Sequence, residues 1–432
     1  MDLLNAIKTG IAAAAIAAAV AVPSGRSIEL AIKEHANANP SIAASNKFVV
    51  VTWSATAGGG AADVYAAVSR DAGLTFTSPV RVNDVAGDAR VGGEQPPRVT
   101  LIPRSRADPS IVIVWTTKAS AGTRLLAARS NDGGRSFGRA APLPGSDAPG
   151  NRGWESIATD REGRMVAIWL DHRDLAESGA TGTAVHHDGQ SHTGHAASGD
   201  GVARAQLSKL YFARADQPGS ARALTGGVCY CCKTTLAIGP DGFVYAAWRH
   251  VFPGNVRDIA FSLSRDGGRT FSTPARVSED RWVLDGCPEN GPAMAVDAQN
   301  RVHLVWPTLV NAPKAGGEPT LELFYAASPD GRQFSPRLRI PTEGTPRHPQ
   351  IAVAPNGSLA VAWDERANGI GRIVLARSAS SGQTLRSFKR GPVSDDREAV
   401  YPAIVAIPDG IVMAWTSGTA SSSRIRVERL SY

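Results

Sequence analysis

Four cysteines and a cluster of histidines are the residues of this 432-residue chain best equipped for chemistry. Cys229, Cys231 and Cys232 stand in GGVCYCCKTTLAIG, and Cys287 stands in DGCPENGPAMAVD. Five of the nine histidines, His172, His186, His187, His192 and His195, fall in one stretch, 171–209. Neutral imidazoles suit copper, zinc and nickel, and thiolates select Cu(I) first and zinc second. One expectation is therefore a Cys/His site that holds copper or zinc. The other is structural: cysteines that staple neighbouring loops and a solvated His-rich insertion. Because Cys231 and Cys232 are vicinal, both cannot easily face the same partner loop, and one bridge with two thiols left over satisfies the spacing. Nearby, WRHVFPGNVRDIAFS carries Arg249, His250, Arg257 and Asp258. Two arginines with an orienting aspartate can clamp a carboxylate, or an Arg–Asp pair can simply fix the loop.

Something must hold these loops, and the repeat pattern says what. A strand-like apolar segment ending in tryptophan recurs at Trp53, Trp115, Trp169, Trp248, Trp306, Trp363 and Trp415. Most copies follow another apolar segment and a tight turn, as in IAVAPNGSLAVAW, and an alternating third strand, a Gly-rich turn and a fourth strand come after. Four antiparallel strands at such a period are the signature of a β-propeller. Composition agrees: 43% hydrophobic residues, with 44 Gly and 28 Pro scattered along the chain, favour many short strands over helices. The 46 Lys+Arg against 39 Asp+Glu give +7 with no long run of one sign, so nucleic acid is not an expected partner. At the N-terminus, one Lys precedes the apolar run IAAAAIAAAVAV and the small-residue site Ala19-Val20-Ala21. That layout predicts a signal peptide over 1–21, no membrane span in the mature chain, and a periplasmic or secreted protein with a single domain over 22–432.

The Gly-rich turn is itself a motif. SRDAGLTF from Ser69, SNDGGRSF from Ser130 and SRDGGRTF from Ser264 all fit S-x-D-x-G-x-[ST]-F. SPDGRQF from Ser328 is one residue short, and SASSGQTL from Ser378 has Ser380 in the Asp position. On these residues the chain resembles the Asp-box, or bacterial neuraminidase repeat, propellers. Asp71, Asp132, Asp266 and Asp330 are then structural: the Asp binds its own turn, Gly supplies φ > 0 and the aromatic packs between sheets.

Blade number follows from the ends. The last repeat offers three strands and stops, while Ser27–His35 lies where a fourth strand is needed, so seven blades closed by an N-terminal strand are expected, against six in the family's sialidases. Cys229 and Cys287 align when neighbouring blades are superposed on Trp248 and Trp306. The face carrying the loops before the first strand and after the Trp strand then holds all four sulfurs. It also holds Trp154, Glu155, the 171–209 insertion, 249–258, 287–290, Arg347, His348, 364–366 and Tyr401.

The resemblance implies an enzyme of the exo-sialidase type, which uses a Tyr nucleophile activated by Glu, an Asp acid/base and three Arg on the sugar carboxylate. Tyr401, Glu398, Asp258, Arg249, Arg257 and Arg347 are the residues of those types on the expected face. They fall outside the family's own motifs, so the resemblance carries the fold more directly than the catalytic set. Two functional expectations stand side by side. One is a sialidase-like binding or scaffold propeller for a small molecule, glycan or exported protein, with a Cys/His metal site; the other is a glycoside hydrolase acting on an acidic sugar.

Overall fold

The computed structural model describes residues 27–177, 200–284, 286, 288–310, 318–378, 387–390, 394 and 397–431. Seven four-stranded antiparallel sheets follow one another in chain order. Their innermost strands are His35–Ser45, Arg98–Ile102, Arg152–Thr159, Thr235–Ile238, Ala293–Val296, Thr345–Val353 and Ala399–Ile407, which open blades 1 to 7. The strand Ile28–Leu30 pairs with Ser422–Leu430 and completes blade 7, in the register Ile28 opposite Val427 and Leu30 opposite Ile425. The ring closes through this exchange of termini, which leaves blade 7 without a missing strand. Two short helices, Arg173–Glu177 and Asp200–Leu207, flank the segment 178–199. Among the described residues no helix is long and apolar enough to cross a membrane.

Each blade's second strand carries its tryptophan, and all seven are at most 1% exposed. They lie in or beside seven apolar clusters, each shared by two neighbouring blades. Blade-to-blade burial therefore replaces a single central core, as expected of sheets that must each cover two faces. The indole N–H finds an acceptor two residues on in three blades: Asp171 for Trp169 at 2.9 Å, His250 for Trp248 at 3.3 Å and Glu365 for Trp363 at 3.1 Å. The acids that follow the Trp strand then gather arginines. Asp171 binds Arg152 and Arg173, and Glu365 binds Arg372 and Arg390.

The Gly-rich turns tie each blade to the one before it. Asp132 Oδ1 accepts from Ser130 Oγ at 2.8 Å and from the amides of Arg135 and Ser136 at 2.9 and 3.1 Å, while Oδ2 accepts from Ser136 Oγ at 2.6 Å. Asp71 and Asp266 repeat this pattern. Asp330, in the short copy, keeps amide bonds from Arg332 and Gln333 at 2.8 and 3.4 Å. The glycine is needed for space as well as for its φ. At Gly268, with φ +88°, a Cβ would lie 2.1 Å from Phe212 of blade 3, and at Gly134 it would lie 2.5 Å from Val68 of blade 1. Phe271 packs edge-on against Phe212, and Phe334 against Phe261, each reaching back to the preceding blade. The degenerate copy from Ser378 falls largely outside the described residues.

Candidate functional site

Four innermost strands break register near their first residues, between Ala38 and Ser41, Gly153 and Ser156, Arg347 and Gln350, and Val400 and Ala403. At each break a non-glycine residue has positive φ: Asn39 (57°), Trp154 (53°), His348 (49°) and Tyr401 (54°). A bulge re-aims one side chain, and a left-handed L-residue costs roughly 1–2 kcal/mol, so four at equivalent positions mark a place where side-chain direction matters.

Asn39, His348 and Tyr401 come together at the mouth of the axis, while Trp154 packs against His172. Asn39 Nδ2 of blade 1 donates to the Gly93 carbonyl of blade 2 at 2.8 Å. A Cβ on Gly93 would lie 3.7 Å from Glu289 Oε1 of the blade 5 loop and 3.9 Å from the Tyr401 hydroxyl of blade 7. The His348 and Tyr401 rings are 4.2 Å apart. One carboxylate oxygen fixes both: Asp364 Oδ1 is 2.7 Å from His348 Nδ1 and accepts the Tyr401 amide at 3.1 Å. Just behind, buried Glu94 accepts the amides of Lys233 at 2.9 Å and Gly291 at 3.0 Å, and Lys233 Nζ donates to the Pro349 carbonyl at 2.5 Å. Six of the seven blades are thus cross-linked around one point.

The electrostatics suit proton transfer. Burial, then the charges of Glu289, Asp364 and Glu94, push the Tyr401 phenol well above its ordinary range against the pull of Arg347, so it stands protonated. Burial and the neighbouring Glu94 raise the Glu289 carboxyl. Burial lowers Lys233 to about 8 in spite of Glu94. With Nδ1 on Asp364, the His348 ring offers Nε2 as its other proton site. Further along the same strands is an axial cavity of about 230 Å³, lined by Ser41, Arg98, Ser156, Lys233, Thr234 and Gln350 among others. Arg98 Nε donates to the Glu155 carbonyl at 2.8 Å, and burial raises the enclosed Glu155 carboxyl to about 7 against the opposing Arg98 charge.

Of the residues expected from the sialidase pattern, Tyr401 and Arg347 belong to this mouth and the others have different partners. Arg249 is buried with every nitrogen on a backbone carbonyl: Asn290 at 3.0 and 2.7 Å, Pro307 at 2.6 Å and Arg257 at 2.5 Å. It ties blade 4 to blade 5, with four of its five N–H donors spent on backbone carbonyls. Arg257 is buried too, with Nε on Asn255 Oδ1 at 3.1 Å and Nη1 unpartnered. Asp258 faces away from both, accepting the amides of Arg281 and Trp282 at 3.2 Å and pairing with Arg276 at 3.4 Å. Burial raises its carboxyl. Glu398 is half exposed and pairs with Arg366 at 3.4 Å, while the acids that bear on Tyr401 are Glu289, Asp364 and Glu94. The sequence carries one further signal for the mouth. Asn39, His348 and Tyr401 each precede a proline, Pro40, Pro349 and Pro402.

Beside the mouth, at the entrance to blade 4, the Sγ of Cys229 is 3.4 Å from Cys232 and 3.9 Å from Cys231, and the three ligand atoms all lie within 4.8 Å of one another. Cys231 is disulfide-bonded, whereas Cys229 and Cys232 are free and buried. Cys287, His186, His187, His192 and His195 lie outside the described residues. His172 is described: its ring sits 5.7 Å from Trp154, and burial lowers it to about 4 despite Asp171.

No known family model matches the chain, and no curated protein matches it by sequence. Solved structures do. An ulvan lyase of polysaccharide lyase family 25 has a TM-score of 0.55 at 13% identity, covering 92% of this chain and 94% of that one. The family 93 α-L-arabinofuranosidase of Fusarium graminearum, solved with arabinobiose, has a TM-score of 0.53 at 13% identity over 94% of this chain and 97% of that one. A Hadza microbial sialidase also aligns, with a TM-score of 0.46 at 13% identity over 85% of this chain and 73% of that one. The likeness is one of fold. This chain is a seven-bladed β-propeller, and its fold neighbours include a glycoside hydrolase and a polysaccharide lyase.

Proposed function

We propose that the protein is an exported, sugar-acting propeller that takes an acidic sugar at its axial mouth, with Tyr401 and His348 as the proton-transfer pair. The observation that carries this reading is the single Asp364 oxygen that holds the His348 ring and the Tyr401 backbone together, with the rings 4.2 Å apart. Arg347, whose charge bears on both Tyr401 and Glu289, is the cation for the sugar carboxylate. Tyr401 supplies the phenolic proton or, deprotonated by Glu289, the nucleophile; His348 Nε2 is the second acid or base. Fold neighbours that cleave polysaccharides or arabinosides support a sugar as the ligand class. The export expectation rests on the first 21 residues.

The test is a panel of sialosides and uronides, read by released sugar and by the ultraviolet absorbance of an unsaturated elimination product. Turnover of one class, reduced at least about 100-fold in Tyr401→Phe and His348→Gln, is expected. Binding without turnover, weakened in Arg347→Ala, would leave a glycan-binding propeller in place of an enzyme. Neither binding nor turnover across the panel would remove the sugar reading.

A second reading, a soft-metal site, is favoured by the sulfur geometry. A tetrahedral zinc–thiolate site with bonds of about 2.3 Å has S···S edges of about 3.8 Å, and the two free sulfurs, Cys229 and Cys232, are 3.4 Å apart. With Cys231 in a disulfide, Cys229 and Cys232 are the sulfurs free to bind copper or zinc. Metal content and free-thiol count on the mature protein test it.

A further inference from the structure

We propose that Cys229, Cys231 and Cys232 form an internal thiol–disulfide exchange centre, in which the bridge now held by Cys231 moves to Cys229–Cys232. The inference stands independently of the sugar reading. Three observations carry it. First, a free thiol lies against a disulfide sulfur: Cys229 Sγ is 3.9 Å from that of Cys231, and its second neighbour, Cys232 Sγ, is 3.4 Å away. Second, Cys229-x-x-Cys232 spans a ring that a disulfide closes readily, as in the Cys-x-x-Cys redox motif. Third, the surroundings are cationic. Arg249 and Arg257 bear on Cys229, Arg257 Nη1 is buried without a hydrogen-bond partner, and Arg204 stacks over Tyr230 at 4.8 Å. Such a setting suits anionic sulfur.

The geometry splits the two thiols. Cys229 Sγ is the free sulfur that lies against Cys231 Sγ, so Cys229 is the attacking group, and Cys232, 3.4 Å from Cys229, is the reserve thiol.

The exchange balances without an outside oxidant. The Cys229 thiolate attacks Cys231 Sγ, an S–S bond forms between them, and the sulfur previously bonded to Cys231 leaves as a thiolate. Cys232 gives its proton to that leaving thiolate and attacks Cys229 Sγ. The Cys229–Cys232 bond forms and Cys231 departs as a thiolate. One disulfide and two thiols, one of them ionised, stand on each side. The loop that carries these cysteines also presents Lys233 to Glu94, and Cys232 Sγ accepts the Asn290 amide at 3.4 Å, so the bridge position bears on the loops around the axial mouth.

The experiment uses the full mature chain. Native protein is held at neutral pH with a polymer-linked maleimide too bulky for the buried thiols, then acid-quenched, and its bridges and labels are mapped by peptide mass spectrometry. The expected result is a new Cys229–Cys232 bridge that accumulates as label draws off the cysteine released from Cys231, with at least a tenfold slower accumulation in Cys229→Ser. In Cys232→Ser the reaction is expected to stop at a Cys229–Cys231 bridge. Wild-type protein whose Cys231 bridge stays intact throughout overturns the proposal. So does protein whose thiols become reactive only after a copper or zinc chelator is added, because that outcome makes the cluster a metal site.

Discussion

If the Asp turns hold the blades together, deleting their carboxylates in three separate blades must weaken the ring by a calculable amount. In Asp132→Ala the four hydrogen bonds from Ser130 Oγ, the Arg135 and Ser136 amides and Ser136 Oγ all disappear. Bonds of this kind contribute about 0.5–1.5 kcal/mol each, and a solvent-facing turn belongs at the low end, which gives about 2 kcal/mol for the turn. Asp71 and Asp266 accept equivalent bonds in blades 1 and 4, remote from one another, so the losses add to about 6 kcal/mol in the triple Ala variant. A domain of about 400 residues at roughly 2.1 cal/mol/K per residue loses about 1.2 °C for each kcal/mol, so the triple variant should melt about 7 °C below the wild type. The buried tryptophans give the readout, by fluorescence during a thermal ramp. The sign with pH follows from the turn. Burial would raise the Asp71 carboxyl, but the Thr75 and Ser69 hydroxyls and the Thr75 and Leu74 amides hold it at about 2. Its contribution is full above the unfolded carboxylate range near pH 4 and fades as pH falls toward 2, so the gap between wild type and triple variant must shrink over that interval. A triple variant that melts within a degree of wild type, or a gap unchanged between pH 5 and 2, would refute the reasoning.

Other perturbations test other links. Gly268→Ala drives a Cβ to 2.1 Å from Phe212 at a φ of +88°, and a loss of about 2–3 kcal/mol is expected in urea denaturation. Arg249→Ala strips donors from the Asn290, Pro307 and Arg257 carbonyls and should destabilise by about 3 kcal/mol, an effect on folding that persists with no ligand present. His172 is held at about 4 in the folded chain and titrates near 6.5 when unfolded. Its contribution is thus intact above pH 6.5 and lost as pH falls toward 4. About 2 kcal/mol should be missing at pH 5 relative to pH 7.5, and His172→Gln should flatten that part of the profile in paired urea titrations.

Repetition made the fold legible. Each Trp strand has to bury its indole between two sheets, each Gly-rich turn has to reach the preceding blade, and such local demands recur at a readable period. The closing strand was legible for the same reason, since three strands at Ser422–Leu430 and its neighbours call for a fourth and Ile28–Leu30 supplies it. Which loops share one face was also readable, because loop order fixes it: Arg347, His348, Asp364, Tyr401 and the blade 4 cysteines were all expected on the same face. That one bridge leaves two thiols over was among the expected arrangements, and Cys231 is bridged while Cys229 and Cys232 are free.

What the chain order does not contain is convergence across the axis. Glu94 and Lys233 are 139 positions apart and Glu94 and Gly291 are 197 apart, yet each pair is joined within about 3 Å because the ring turns sequence distance into an angle around one axis. No local pattern announces that Glu289, of blade 5, sits beside Tyr401, of blade 7, in preference to Glu398, which is only three residues away in the chain. Arg249 and Arg257 have the composition of a carboxylate clamp, but composition does not say which donors backbone carbonyls have already taken. Seven blades, their closure and the loops that share one face follow from short-range periodicity, and so they could be read from the chain. Which charges meet at the mouth could not, because that depends on side-chain direction at bulged, left-handed residues and on contacts between blades that are never neighbours in the chain.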